Sequence, residues 1–139
     1  MKTPVSVLIP TRNEQQNIRK CLESVSWADE VWVVDSNSAD QTASIARSLG
    51  ASVVDFHWDG QGPRKRNWAL RNLPWKHEWL LLLDADEEIT PSLRDEITQV
   101  VFSDSTYAGY MIRFHYFFLG RKLTHGDPLW KLCLVRHRM

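Results

Sequence analysis

Short apolar runs alternate with amphipathic segments along the first hundred residues, and each apolar run stops at polar residues. The runs are rich in leucine and β-branched residues, which is typical of strands buried on both faces of a sheet. They lie at residues 5–9, 30–34, 51–56 and 79–83. Between them, apolar residues recur at helical spacing. The pattern of strand and helix, repeated four times, predicts an α/β fold with a mostly parallel sheet flanked by helices.

Polar residues that suit helix starts follow three of these strands. Thr11 with Glu14, and Ser38 with Gln41, have the spacing of a capping box, in which two side chains bond the free N–H groups of the first helical turn. The dipeptide 90–91 is Thr-Pro, which predicts a helix with threonine as N-cap and proline at the first helical position.

The last third of the chain has a different pattern. Residues 107–119 are aromatic and roughly alternating, which predicts a strand that we expect to be antiparallel, and residues 129–135 predict another. No repeat or linker divides the sequence. We therefore expect residues 1–139 to form one domain.

The composition limits which binding partners and which cellular compartment we expect. The chain has 17 basic and 17 acidic residues, so its net charge is zero and it has no bulk attraction for nucleic acid. Cys21 and Cys133 lie in apolar contexts, which favours reduced core thiols and a cytoplasmic location. Cys133 and His137 have a faintly zinc-like spacing, but the sequence offers no second ligand pair.

The strand at residues 79–83 runs directly into Asp84-Ala85-Asp86-Glu87-Glu88. Open α/β sheets bind ligands beyond the carboxyl ends of their strands. Clustered carboxylates there suit a divalent cation that bridges to a phosphate, although a solvated strand end gives the same pattern. The turn after the first strand, residues 10–14, has no glycine, which excludes a dinucleotide fingerprint and a P-loop.

Four segments, taken in order, resemble the motifs of family 2 glycosyltransferases with the GT-A (Rossmann-like) fold. They are residues 5–14, 31–42, 62–70 and 80–88. Within that family, Trp27–Val31 and Asp84–Glu87 resemble bacterial enzymes that add sugars to lipopolysaccharide core or similar envelope glycans.

The resemblance implies an inverting, metal-dependent transferase with a nucleotide-diphosphate sugar as donor, a UDP-sugar in expectation, and a glycan or glycolipid as acceptor. It implies Mg²⁺ or Mn²⁺ bound by Asp86 and Asp84, with Asp84 also near the ribose. The positions that it implies for nucleotide contacts are Pro10, Thr11, Glu14, Asp35, Arg66, Asn67 and Asp84. The alternative for Asp35 is that it only caps the turn at Ser38. The basic cluster at residues 64–66 suits either a phosphate contact or a solvated helix face.

In the family, the general base follows the strand that corresponds to residues 129–135. We therefore expect the base beyond Met139 and the chain to be incomplete at its C-terminus, with Asp127 as a weak candidate. Two alternatives stay open: a sugar-nucleotide-binding fragment that is inactive alone, and an unrelated doubly wound domain with a cation site. A glycolipid acceptor would suit peripheral association with the inner face of the cytoplasmic membrane.

Overall fold

The computed structural model describes residues 2–115, 117–118, 121–122 and 129–137. The helices of this part of the chain are α1 (Ile18–Glu23), α2 (Thr42–Ser48), α3 (Lys65–Asn72) and α4 (Pro91–Phe102). The strands are β1 (Thr3–Thr11), β2 (Ala28–Asp35), β3 (Ser52–Asp55), β4 (Trp79–Leu82), β5 (Gly109–Phe114), β6 (Phe117–Phe118), β7 (Arg121–Lys122) and β8 (Leu129–Arg136). The predicted α/β fold is confirmed.

Six of these strands form one sheet in the order β3-β2-β1-β4-β8-β5, and β6 pairs with β7 separately. β1 pairs in parallel with β2 and β4, and β2 pairs in parallel with β3. β8 pairs antiparallel with both β4 and β5, so it runs against the other five strands. The sheet is therefore mostly parallel, and the expected antiparallel pairing near the C-terminus is present.

Both faces of the sheet are covered, because side chains of β1 alternate between two apolar clusters. Val5, Val7 and Ile9 pack in a cluster that includes residues of α1, α2 and α4. Leu8 packs in the second cluster, which includes Ala69 of α3. All four residues of β4 are buried, as expected for a strand covered on both sides.

The helix starts agree with the sequence in one case and differ in two. Thr90 caps α4 as predicted, since its hydroxyl accepts a hydrogen bond from the Leu93 amide. Both predicted capping boxes are wrong: α1 and α2 begin at Ile18 and Thr42, and neither has a side-chain cap bond. The reason is that Thr11 and Ser38 donate their hydroxyls to a carboxylate instead.

In the described ranges, no helix combines the length and the apolar character that a bilayer span requires.

Candidate active site

Three strands bring their carboxyl ends to one edge of the sheet. Thr11, the last residue of β1, pairs in register with Asp35, the last residue of β2. Leu8 of β1 pairs with Leu82, the last residue of β4, so Asp84 follows at the same edge. Parallel pairing thus collects polar residues that are far apart in sequence, as the carboxyl-end rule for open α/β sheets requires.

Asp35 is the buried carboxylate of this edge, with only 1% of its surface exposed. Its Oδ1 accepts hydrogen bonds from the hydroxyls of Thr11 and Ser38, each at 2.6 Å. Its Oδ2 accepts a bond from the Ser38 amide at 2.9 Å. Burying a carboxylate is costly unless its oxygens are hydrogen-bonded, and these three donors meet that requirement.

The donors around Asp35 keep it ionised. Burial raises the pKa of Asp35, but hydrogen bonds from Ser38 and Thr11, with the charge of Lys65, outweigh burial, so that its pKa lies below the usual value. Lys65 itself donates to the Thr11 carbonyl oxygen at 2.7 Å. Burial lowers the pKa of Lys65, and the nearby charge of Asp35 opposes that effect. Asp35 and Lys65 thus form an anchored anion and cation side by side.

The two polar turns beyond β1 and β2 are fastened to each other. The Asn13 amide donates to the Ser38 hydroxyl oxygen, and the Ala39 amide donates to the Asn13 side-chain oxygen, both at 2.8 Å. Asn13 has a φ of 53°, in the left-handed region that asparagine tolerates better than most residues. The turns therefore form a fixed border beside Asp35.

We call residues 84–88 the acidic turn. The Glu87 amide donates to the Asp84 carbonyl oxygen at 3.0 Å, and the Asp84 amide donates to Glu87 Oε1 at 2.8 Å. The carboxylate of Asp84 is flanked by two cations. Arg66 Nη2 lies 3.4 Å from Asp84 Oδ1, and Lys131 Nζ lies 3.3 Å from Asp84 Oδ2.

The negative charge of the acidic turn helps to raise the pKa of two neighbouring groups, the Cys21 thiol and the Lys131 ammonium. The Cys21 thiol donates to the Asp84 carbonyl oxygen at 3.5 Å. Burial, and then the charges of the acidic turn, beginning with Glu87, raise the pKa of Cys21 to about 12. In front of the turn, hydrogen bonds and charge from Glu87, and then from Asp84, raise the pKa of Lys131 despite its burial. The edge therefore holds a concentrated negative potential that protein cations partly neutralise.

Asp86 differs from Asp84 in its surroundings. It is exposed, and among the described residues its carboxylate makes no hydrogen bond or ion pair. No group of three or more His, Cys, Asp and Glu side chains in the described part is arranged to hold a metal ion. Mg²⁺ and Mn²⁺ need no such group when a nucleotide supplies oxygens, because one or two carboxylates then suffice. The residues present fit a cation of that kind, with Asp86 as the free ligand.

The other predicted site residues lie along the same edge, with one exception. Pro10 is half-buried at the end of β1, and Asn67 is exposed in the first turn of α3. The Glu14 carboxylate accepts a bond from the Asn17 side chain, and its amide donates to Thr42 Oγ1. Asp127 lies outside the described residues.

One contributor was not anticipated from the sequence, and another was predicted in two ways. Ser38 was predicted to cap a helix, with a turn capped by Asp35 as the alternative, and the structure has the contact with Asp35. Lys131 gave no sequence signal, because its position depends on β8 pairing beside β4. A cavity of about 260 Å³ lies apart from both, between the end of α1 and the start of α4, and is lined in part by Ser24, Trp27 and Arg94.

The helix-flanked, mostly parallel sheet of this chain matches solved glycosyltransferases with the GT-A fold. The mannosyltransferase PcManGT of Pyrobaculum calidifontis, solved with GDP-Man and Mn²⁺, has a TM-score of 0.59 and 25% identity, covering 78% of this chain and 34% of that one. TarS 1-349 of S. aureus has a TM-score of 0.55 and 31% identity, covering 72% and 32%.

The family described as glycosyl transferase family 2 matches residues 6–131, and the chain belongs to it. An uncharacterized glycosyltransferase of Rickettsia bellii is 41% identical over 112 residues, which are 78% of this chain and 37% of that protein. The lipopolysaccharide core biosynthesis glycosyltransferase LpsC of Rhizobium meliloti is 27% identical, covering 88% and 46%. The chain thus spans less than half the length of these relatives.

Proposed function

We propose that this chain provides the donor-binding part of an inverting, metal-dependent glycosyltransferase that uses a UDP-sugar. One observation carries the proposal. The hydrogen-bonded Asp35 and the acidic turn, with its two flanking cations, lie at the same edge of the sheet. A nucleoside needs directional hydrogen bonds, and a diphosphate needs positive charge. The edge offers the first at Asp35 and the second beside Asp84.

Asp35 is proposed to accept a hydrogen bond from an N–H of the base. Its Oδ2 receives one bond from the described residues, donated by the Ser38 amide, and a carboxylate oxygen has two lone-pair sites. The lowered pKa of Asp35 supports this role, since an ionised carboxylate is a stronger acceptor than a protonated one. Pro10, Thr11 and Glu14 would border the base and ribose on one side.

Asp86, with Asp84, is proposed to hold Mg²⁺ or Mn²⁺ against the diphosphate. When bound, the cation would act as a Lewis acid that stabilises the negative charge of the departing diphosphate. The chain's own part is to orient the phosphates. Arg66, at the start of α3, has the guanidinium geometry for charge-assisted bonds to phosphate oxygens, with Asn67 next to it.

For the acceptor, we propose a glycan or glycolipid of the bacterial envelope, such as lipopolysaccharide core. The relative LpsC, which is described as acting in lipopolysaccharide core biosynthesis, supports this choice. An inverting displacement needs a carboxylate that takes the proton of the attacking hydroxyl. The proposal places that base outside the described residues.

Calorimetry with UDP, in the presence and absence of Mn²⁺, tests the binding site. We expect Mn²⁺-dependent binding that Asp86→Ala abolishes, because the variant lacks the free metal ligand. Glu88→Gln is the matched control, since it removes one exposed charge from the same turn and should bind UDP normally. Equal binding by wild type and Asp86→Ala would contradict the metal assignment, and no UDP binding at all would contradict the proposal.

Turnover separates transfer from binding alone. Transfer by this chain, on incubation with UDP-sugars and envelope glycolipid, would give a product whose anomeric configuration, read by NMR, is inverted relative to the donor. UDP–Mn²⁺ binding without turnover would instead support a nucleotide-sugar-binding unit that is inactive alone.

A further inference from the structure

Lys131 is a cation of the site with a position fixed by the sheet. It lies on β8, which is hydrogen-bonded to β4 on one side and β5 on the other. Its Nζ is 2.8 Å from Glu87 Oε2, 3.3 Å from Asp84 Oδ2 and 4.8 Å from the centre of the Phe114 ring. An ammonium group with carboxylates on one side and an aromatic face on the other is held by attraction from both.

The two aspartates of the acidic turn differ in their ion pairs. Both oxygens of Asp84 face a protein cation, Oδ1 towards Arg66 and Oδ2 towards Lys131. Asp86 makes no ion pair within the described residues and is exposed. A cation beside a carboxylate oxygen opposes a second one there, because it fills an acceptor direction and repels like charge.

We propose that Lys131 is a positioning residue that keeps Asp84 from ligating a divalent cation until the nucleotide arrives. In the nucleotide-free protein, Asp86 alone is then available, and one exposed carboxylate binds Mg²⁺ or Mn²⁺ weakly because these ions require several oxygen ligands. A diphosphate would supply the missing oxygens, so metal and nucleotide would bind together. This inference rests on the proposed function.

Glu87 holds Lys131 in its position beside Asp84. Its side chain is only 13% exposed, and its two oxygens take separate partners: Oε1 accepts the Asp84 amide and Oε2 faces Lys131. If the ammonium moved away, a largely buried carboxylate would lose its counter-ion, which is costly. Lys131 thus stays beside Asp84 unless a new positive charge replaces it.

Electron paramagnetic resonance of free Mn²⁺ measures metal binding by the nucleotide-free protein without any reaction. We expect Lys131→Met to bind Mn²⁺ about tenfold more tightly than wild type, since the loss of a unit charge beside a partly exposed carboxylate is worth about that factor. Lys131→Arg should behave as wild type. Arg113→Met is the matched control: it removes an equal charge from the adjacent β5, where Arg113 faces the Trp130 ring.

A double variant covers the case in which Lys131→Met fails to fold. Lys131→Met with Glu87→Gln removes the pair together, so neither partner is left unpaired and net charge is unchanged. It should bind Mn²⁺ more tightly than Glu87→Gln alone. Affinities within about twofold of each other for these two proteins would overturn the inference, and so would an equal gain from Arg113→Met. UDP binding by wild type tests the proposed function separately, because these titrations contain no nucleotide.

Discussion

Asp35 shows how one buried carboxylate can join a strand end to a turn while remaining charged. Thr11 ends β1 and Ser38 lies in the turn after β2, and both donate to the same oxygen of Asp35. The arrangement makes Asp35 important for stability as well as for its proposed contact with the base. An exposed aspartate at a strand end would have neither role.

The first prediction concerns Asp35→Asn. The variant should lose about 1–3 kcal/mol of unfolding free energy at neutral pH, because an amide presents donors where the native carboxylate accepts them. Urea denaturation at pH 7 measures this loss. Asp55→Asn is the control, since Asp55 is exposed at the end of β3 and pairs in register with Asp35. Equal losses for the two variants would contradict the importance of burial.

The second prediction is that this difference depends on pH. The pKa of Asp35 is raised by burial but lowered more by its hydrogen bonds, so folding favours the ionised form. The stabilisation is therefore complete above the unfolded pKa of about 3.9 and is lost as the pH falls through the lower folded value. Urea curves at pH 7, 4 and 2.5 should show wild type and Asp35→Asn converging in acid. A constant gap would contradict the lowered pKa.

At the residue scale, the sequence predicted where side chains lie in the fold better than which groups they hydrogen-bond. Asp35 and Asp84 were expected at one edge, and the structure brings them there because parallel strands end together. Arg66 reaches Asp84 from the first turn of α3. Ser38 was assigned to a helix start, since a hydroxyl can bond either a free amide or a carboxylate and local spacing does not decide between them. In the structure, the Ser38 hydroxyl donates to the Asp35 carboxylate.

Among the elements, α4 follows its sequence signals closely. Thr90 Oγ1 accepts the Leu93 amide at 3.2 Å, and Pro91 occupies the first helical position, where its missing N–H is not needed. Side chains of α4, such as Ile97, pack in the core with α1 and β1. Its start is therefore a testable source of stability.

The third prediction is that Thr90→Ala lowers the free energy of unfolding by about 1 kcal/mol, the usual worth of an N-cap hydroxyl. Chemical denaturation gives the value directly. Thr90→Ser keeps the acceptor oxygen and should unfold at nearly the wild-type denaturant concentration. If serine and alanine were equally destabilising, the loss would not come from the cap.

The β5–β8 pair contains a glycine that a side chain would disturb. A Cβ at Gly109 would lie 2.9 Å from Leu132 Cδ1 and 3.1 Å from the Leu134 carbonyl oxygen. The leucine methyl can move, since Leu132 is exposed, but the carbonyl belongs to the sheet backbone. The close approach of the two strands therefore depends on the missing side chain.

The fourth prediction follows: Gly109→Ala should cost about 1–2 kcal/mol, within the range of overpacking. Gly62→Ala is the control, because the nearest atom to its added Cβ, at 3.5 Å, is a side-chain oxygen of Asp59. Thermal and urea unfolding of both variants measure the difference. A stable Gly109→Ala together with a destabilised Gly62→Ala would contradict the packing argument.

Strand positions were predictable because apolar runs report burial locally, but strand order was not. The sequence indicated a strand at residues 129–135 and gave no sign that it would lie between β4 and β5. That order depends on contacts between distant residues, which no local pattern encodes. Lys131 was missed for the same reason.

For the whole molecule, the proposed ligands should act on stability jointly. A ligand that binds only the folded state adds about 2.7 kcal/mol at a hundred times its dissociation constant. As a fifth prediction, UDP with Mn²⁺ should raise the melting temperature by more than the sum of the two added separately, because each completes the other's ligand set. Differential scanning fluorimetry tests this, and Asp86→Ala should abolish the joint effect. Purely additive shifts would argue against a shared site.

The strand order also has a consequence for how the chain reaches its fold. β4 is the most apolar strand of the sheet. One of its two neighbours, β8, comes after α4 and β5 in the sequence, so this pairing can form only after those elements have been made. Pairings between distant segments form slowly, and an unpaired apolar strand edge invites association with other chains. Until β8 pairs with it, β4 therefore has a free apolar edge of the kind that associates with other chains. We expect the like charges of the acidic turn at its end to oppose the association of two such edges.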